Sequence, residues 1–454
     1  MGPARNASIS GWIGRCGDVI HGELWTIKEL FVLQNEYIIW AIQIVMYPFM
    51  TGLVAGAFVL SSLYHVFGIK KLEGIARFAL VFSFALLPGA LVPLLMHLQQ
   101  PFRGINVLMT PHFVSAIAAF GIVFSLYFAI VASEIWFLYR KHFVENARFL
   151  KSLGSEKPFR YKVLQFVHTV LTLGSFDISE EALKKDKKAI KWLAGVGIPV
   201  ALFLHGYAGF IFGSVKANAL WLTPLMPVIF IMSAIVSGIA LCLLTYIIVM
   251  EVRKRRARRR QAKAQLSGGA SKARYMDYGH YDMPSGEIQS VEIDVVKMTS
   301  RYLLFFLVFA ISLELLDLIF RGYTAVNSWD ILKSALYERD YLDIFILQYG
   351  LGNFIPLVLL LLPRLTLRRT VLATALILFG VFMMRYNVVI GGQSFSLTFA
   401  GYMDYVLPFI PFSLEEFKEG FFGALVVFVW PFFLFYIYSK IFPIFGTRGA
   451  HSAE

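Results

Sequence analysis

About nine stretches of roughly 20 or more mostly apolar residues follow one another along this chain, and a run of that length crosses the hydrocarbon core of a bilayer as one helix. They lie at about residues 37–67, 74–98, 112–138, 190–213, 221–250, 299–320, 342–363, 370–391 and 420–442. A soluble core can hide one such run, but not a series of them. Composition agrees: 58% of residues are hydrophobic and 16% are charged, against about 25% charged in a soluble domain. The expectation is an all-α integral membrane protein with about nine transmembrane helices. The first 35 residues hold no uninterrupted apolar segment of the signal-peptide kind, so the N-terminus is expected to be retained. Prolines inside the runs (Pro48, Pro88, Pro93, Pro199, Pro227, Pro356, Pro431) predict kinks that neighbouring helices or water can accommodate. Gly52 and Gly56 sit one turn apart and predict close helix packing.

Basic residues orient the chain. Assigned alternately to the two sides, 31 Lys and Arg fall on the side of the C-terminus and 9 on the side of the N-terminus. Basic loops stay in the cytoplasm, so the N-terminus is expected outside and the C-terminus inside the cell membrane. The run from Arg253 to Arg260 reads as an anchor on anionic membrane lipids rather than a nucleic-acid site. The longest loops, about 139–189 and 251–298, are then cytoplasmic. The first predicts a surface helix over Phe159 to Leu173. The second, with Ser267-Gly268-Gly269-Ala270-Ser271, reads as a basic flexible linker. The outer segments 1–36, about 321–341 and about 392–419 read either as a docking surface or as capping loops.

Several chemistries lack their residues. Two cysteines, Cys16 and Cys242, are too few for an iron–sulfur cluster, which needs about four thiolates. There is no phosphate-binding glycine motif, no HExxH and no Ser-His-Asp arrangement. Haem would need a pair of histidines on separate helices. Of His65, His97, His112 and His205, a His97–His205 pair is geometrically conceivable. Against it, no helix carries two histidines at the spacing that stacks two haems. The expectation is that this chain binds no metal or haem.

Ionisable groups inside a bilayer are costly and mark functional candidates. Placed by depth, they gather in the outer half. Gln34, Asn35 and Glu36 precede the first span, and His97, Gln99, Gln100 and Arg103 end the second. His205 and Tyr207 lie on the fourth, Glu314 and Asp317 on the sixth, Tyr349 and Asn353 on the seventh, and Arg385 and Asn387 on the eighth. Glu134 alone lies near the inner face. A transporter site would sit nearer the midplane. An off-centre cluster suits a ligand that arrives through the lipid and exchanges protons near one surface, as a quinone does. Such a site needs an apolar cleft, two hydrogen-bonding groups for the ring oxygens, and a titratable neighbour. His205 and Tyr207 point about 200° apart on a helix, so one of them at most is expected to touch the ring. Gln34, Asn35 or Glu36 is expected opposite. Arg385 is expected to pair with Glu314 or Asp317, at matching depth, with His97 as a further proton-transfer or ion-pair group.

The chain resembles the membrane subunit of polysulfide reductase and the NrfD-type family of membrane anchors. The resemblance rests on the glycine-containing first span from Trp40 to Phe58, on Gln100-Pro101-Phe102-Arg103, and on Leu204-His205-Gly206-Tyr207-Ala208-Gly209-Phe210. It extends through Trp221-Leu222-Thr223-Pro224-Leu225-Met226-Pro227 and Arg385-Tyr386-Asn387-Val388-Val389-Ile390-Gly391-Gly392. It implies two four-helix bundles, residues 37–214 and 215–391, the second containing the basic linker 251–298. Residues 1–36 would form an extracytoplasmic segment, and 392–454 an outer loop, a ninth helix and a cytoplasmic tail. It implies a menaquinone or ubiquinone site near the outer surface at Gln34, Asn35 and Tyr207, with His205 alongside. It also implies a ferredoxin-like iron–sulfur partner docked outside, with a molybdopterin or multihaem catalytic subunit beyond. One departure concerns proton handling: the family often has an Asp before the second-span turn, where this chain has His97 and two glutamines. The function expected is a quinone-interacting anchor subunit of a respiratory oxidoreductase. The alternatives are a secondary transporter and a b-type cytochrome subunit.

Overall fold

The computed structural model describes residues 38–444, apart from 99, 113, 155–157, 217, 219, 267–290, 325–332, 334–335, 338–339, 395–402 and 404. Among the described residues nine helical segments are long and apolar enough to cross a membrane. The chain is a multi-pass integral membrane protein. "Outer" denotes the membrane face at which the first span starts.

The first span is α1 (Ile42–His65). The second is α2 (Glu73–Gly89) and α3 (Val92–His97), interrupted at Ala90 and Leu91 between Pro88 and Pro93. Proline lacks an N–H and its ring crowds the preceding turn, so the break falls there. The third span is α4 (Ala116–Ser152), followed by the surface helix α5 (Phe159–Leu171) and the fourth span α6 (Glu180–Gly213). Then come α7 (Met226–Leu266) and α8 (Ile293–Thr324). Spans α9 (Leu342–Leu361) and α10 (Leu367–Gly391) precede the short α11 (Leu414–Glu419) and the last span α12 (Phe421–Ile441).

Three helices outrun their apolar stretches. α4 continues past residue 138 to Ser152, α6 starts at Glu180 rather than 190, and α7 carries the basic run on to Leu266. Arg, Lys, Ala and Glu are good helix formers, and outside the bilayer nothing demands apolar side chains. Residues 251–266 are therefore helix and not linker; Ser267 to Ser271 lie outside the described residues. Ser179 caps α6, its hydroxyl accepting the Ala182 N–H. Buried Arg140 on α4 clamps the protruding ends, 2.7 Å from the Asp186 carboxylate and donating to Ser175 Oγ at 3.0 Å.

Spans one to four close a ring in chain order: α1 packs on α2, α2 on α4, α4 on α6, and α6 on α1. α7, α8, α9 and α10 close a second ring, and α12 lies against α2 and α1. The rings meet along α1 and α7. Every residue of the α1 apolar window is buried in protein, whereas most of α8 and α12 faces outward. Glycines permit the seam. A Cβ on Gly56 would strike the Ala234 carbonyl and sit 2.8 Å from Gly238 Cα. Gly352 and Gly380 make the same close approach between α9 and α10.

The outer segments fold back on the ring ends. The Ile42 N–H donates to Tyr405 Oη at 3.0 Å, and the Gln43 amide donates to the Lys418 carbonyl. Gln393 brackets Trp40, accepting its N–H at 2.9 Å and donating to its carbonyl at 3.0 Å. The described part of 392–419 thus caps the start of the first span.

Candidate functional site

Arg385 and His205 meet where the two rings join. The guanidinium, on α10, is fully buried, and Arg385 is the largest such side chain among the described residues. It donates to His205 Nε2 at 2.9 Å and to Ser233 Oγ at 2.7 Å, and its carbon lies 3.6 Å from the centre of the Phe230 ring. Stacking on an aromatic face suits a desolvated guanidinium. Arg can only donate, so Nε2 accepts and the proton of the neutral imidazole sits on Nδ1. Nδ1 faces Thr51 Oγ1 at 3.4 Å, and that hydroxyl donates to the Tyr47 carbonyl at 3.0 Å. Gly52 makes room: a Cβ there would sit 3.1 Å from His205 Cε1. Four helices (α1, α6, α7 and α10) thus fix one imidazole, with both ring nitrogens engaged.

Arg385 makes no direct ion pair with Glu314 or Asp317 among the described residues, although Glu314 lies near enough to act on it electrostatically. Asp317 binds Arg321, one turn along the same helix, at 2.9 Å, and accepts the Thr223 hydroxyl at 2.5 Å. Glu314 accepts the Gln348 amide at 3.0 Å and the Asn353 amide at 3.3 Å, and Asn387 donates to Gln348 at 2.8 Å. The reason is rotational. Residues 342–354 and 387–391 wind with wide, π-type turns, which rotate the following side chains relative to an α-helix. Gln348 and Asn353 thereby reach Glu314 and Asn387 reaches Gln348, while Arg385, on the α-helical side of the change, faces α6 and α7.

The span-four pair separates as its 200° offset requires. His205 points into the core. Tyr207 is half-buried at the lipid edge, between the exposed rings of Phe203 at 5.8 Å and Phe210 at 5.6 Å. Its hydroxyl has no hydrogen-bond partner among the described residues, and it lies near enough to Tyr47 to interact electrostatically. Gln34, Asn35 and Glu36 lie outside the described residues. His97 sits at the outer end of α3 and bonds Glu419 through Nδ1 at 2.9 Å.

Sequence reasoning missed Thr51, Phe230 and Ser233 around His205, and Gln43, Tyr405 and Glu419 at the outer cap. Gln43 Oε1 and Glu419 Oε2 are buried without a partner among the described residues, so this cap keeps spare acceptors beside the first span. The one available signal was the polar Gln43 and Thr51 inside an apolar run.

A family model described as polysulphide reductase, NrfD, matches residues 32–268. The chain is 35% identical over 218 residues to a selenate reductase subunit of Mesobacillus selenatarsenatis, covering 47% of this chain and 49% of that one. It is 27% identical over 343 residues to a putative dimethyl sulfoxide reductase membrane subunit of Halobacterium salinarum, covering 75% and 65%. It is 25% identical over 198 residues to an Hdr-like menaquinol oxidoreductase integral membrane subunit of Archaeoglobus fulgidus, covering 43% and 38%. The chain spans less than two thirds of the length of each of these relatives.

Proposed function

The chain belongs to the polysulphide reductase NrfD family, and on that premise we propose that it is the quinone-reactive membrane subunit of a respiratory oxidoreductase. It lies in the cell membrane with its N-terminus outside. An iron–sulfur subunit docks on the outer cap, and a molybdopterin or multihaem catalytic subunit lies beyond. The names of the relatives, all subunits of oxidoreductases and two of them membrane subunits, support this assignment.

The observation that carries the reading is Tyr207. Its hydroxyl has no hydrogen-bond partner among the described residues and stands at the lipid edge between two phenylalanine rings, inside the segment the family model matches. That chemistry fits a menaquinone or ubiquinone: rings against Phe203 and Phe210, and a donor for one ring oxygen. The quinone supplies a carrier of two electrons and two protons. Tyr207 orients it, Gln34, Asn35 or Glu36 faces it, and its tail lies in the lipid beside the exposed Phe203 and Phe210 rings. His205 acts from behind, as part of the rigid junction that fixes α6, rather than as a ligand. The deciding experiment compares Tyr207→Phe with the parent complex. Quinone-coupled turnover is expected to fall about tenfold, from loss of a hydrogen bond worth about 1–3 kcal/mol. Activity with an artificial electron dye is expected to persist. Parental quinone turnover in Tyr207→Phe would place the site elsewhere.

A further inference from the structure

The surface helix α5 has two working faces. One packs on α4: Tyr161 and His168 are buried, as is Thr172 just past the helix end. On the opposite face Phe159, Val163, Phe166 and Val170 follow one another at four, three and four residues, and Leu173 continues the row. These five are 80%, 44%, 69%, 51% and 71% exposed. Steps of four and three keep side chains on one side of a helix, in the spacing of a seam that packs against a second helix. A contiguous exposed apolar row of this kind marks an interaction surface.

The bilayer does not reach the whole row. The Trp136 indole donates to the Leu171 carbonyl at 2.9 Å, and His168 meets the rings of His142 and Phe143 at 5.5 and 6.0 Å. Contacts that step back along α5 step forward along α4, so the two helices run antiparallel and α5 starts toward the Ser152 end. Phe159 stands twelve residues before Leu171, about 18 Å along the axis. The apolar run of α4 ends near residue 138, at the level of Leu171, and a headgroup layer adds only about 5–8 Å. The Phe159 half of the row therefore stands in water beyond the inner headgroups. The fold holds this protrusion stiff. Arg140 ties α4 to Asp186 and Ser175, and Arg148 donates to the Phe176 carbonyl at 2.7 Å.

Charge selects the occupant. The charged residues of α5, Arg160 and Lys162, are both basic, and the adjoining end of α4 exposes Arg148 and Lys151. Glu145, the exposed acid on that part of α4, is paired with Lys141 at 3.8 Å. A second copy of this chain would set the basic rim against itself, and like charges across an interface oppose association. We propose that α5 is the docking helix for a soluble acidic protein on the inner face. That partner lays the apolar row of an amphipathic helix along Phe159, Val163, Phe166 and Val170 and sets Asp and Glu against the basic rim. The iron–sulfur subunit of the proposed function docks at the opposite face, so this partner is a different protein, and its docking does not depend on the quinone reading.

The test reads labelling by a membrane-permeant maleimide at Phe166→Cys and, separately, at Val163→Cys, each in a Cys16→Ser background; Cys242 is fully buried. Lys187→Cys, exposed on α6 and off the row, is the reference. In intact cells of the native host the row positions are expected to label about tenfold more slowly than the reference. In the complex purified through a high-salt wash all three are expected to label alike. Lys151→Glu with Lys162→Glu is expected to restore fast labelling of Val163→Cys in cells. Fast labelling of the unreversed row in cells overturns the proposal, since nothing then covers it. Protection that survives the charge reversal overturns the acidic partner. Slow labelling in the salt-washed complex overturns the proposal too, because the chain itself or, where dilution speeds the reaction, a second copy covers the row. Slow labelling that appears only when the washed complex is returned to phosphatidylglycerol vesicles assigns the row to the bilayer and overturns the protein partner.

Discussion

The Arg385 guanidinium donates to Nε2 of His205 across the boundary between the two helical rings, at 2.9 Å. One ring supplies the charge and the other supplies the acceptor. The bond is shielded from lipid and water, and Ser233 and the Phe230 ring complete the cage. Loss of either partner leaves the other, buried side chain one hydrogen bond short, so the contact links the packing of the second ring to the helix that carries Tyr207.

Arg385→Met is expected to lower the thermal stability of the purified protein, and His205→Phe to do so by a similar amount. A hydrogen bond to a buried charged group is worth about 1.5–3 kcal/mol. The double variant should lose less than the sum of the two, because each single change already breaks the contact. Strict additivity in the melting curves would show that the two side chains do not depend on each other.

Gly56→Ala is expected to destabilise the seam between α1 and α7 by about 1–3 kcal/mol, since a methyl group there meets backbone that cannot yield. Gly195→Ala is the contrast. Nothing lies within 4 Å of a Cβ at that position, so it should be neutral or mildly stabilising. Detergent melting temperatures of the pair separate close packing from a general intolerance of alanine.

His168 on the surface helix α5 is buried against Phe143 and His142, and burial pushes its pKa down to about 4. The unfolded chain takes up a proton near the ordinary histidine value of about 6.5. Stability from this group is thus complete above about pH 6.5 and declines as pH falls from there toward about 4. The melting temperature of the parent should drop from pH 7.5 to pH 5, and His168→Leu should reduce that drop. An equal drop in both proteins would mean that His168 does not contribute.

Cysteine placed at Ser271, in a Cys16→Ser background, is expected to resist an impermeant thiol reagent in intact cells and to react once the membrane is opened. The expectation rests on 31 basic residues facing 9 across the membrane. Labelling of intact cells would invert the orientation, and with it the face on which the partner docks.

The spans were legible because a bilayer demands long apolar helices, and such runs need no tertiary information to be seen. The same logic fails where the bilayer ends: α4, α6 and α7 continue into water on helix propensity and on the Arg140–Asp186 clamp, which no apolar run announces. Depth was legible too, and it placed His205, Tyr207, Glu314 and Arg385 in one outer zone. Depth is only one coordinate. Rotation about each axis decided the partners, and the wide turns at 342–354 and 387–391 altered that rotation in α9 and α10. Arg385 therefore makes its direct contact with His205 and acts on Glu314 only electrostatically, whereas the 200° separation of His205 from Tyr207 followed from α-helical geometry alone. Glu419 and Tyr405 escaped notice because they lie in a segment with no periodicity, whose contacts with α1 and α3 exist only after folding.

The central claim is that Tyr207 holds a quinone ring at the lipid edge, and equilibrium binding tests it most directly. The purified complex, stripped of endogenous lipid quinone, is titrated with a short-chain quinone, and binding is followed for the parent and for Tyr207→Phe. The expected result is saturable binding to the parent, weakened about tenfold by loss of the hydroxyl, a change of about 1.4 kcal/mol. Equal affinity in the two proteins, or no saturable binding to the parent, would contradict the account.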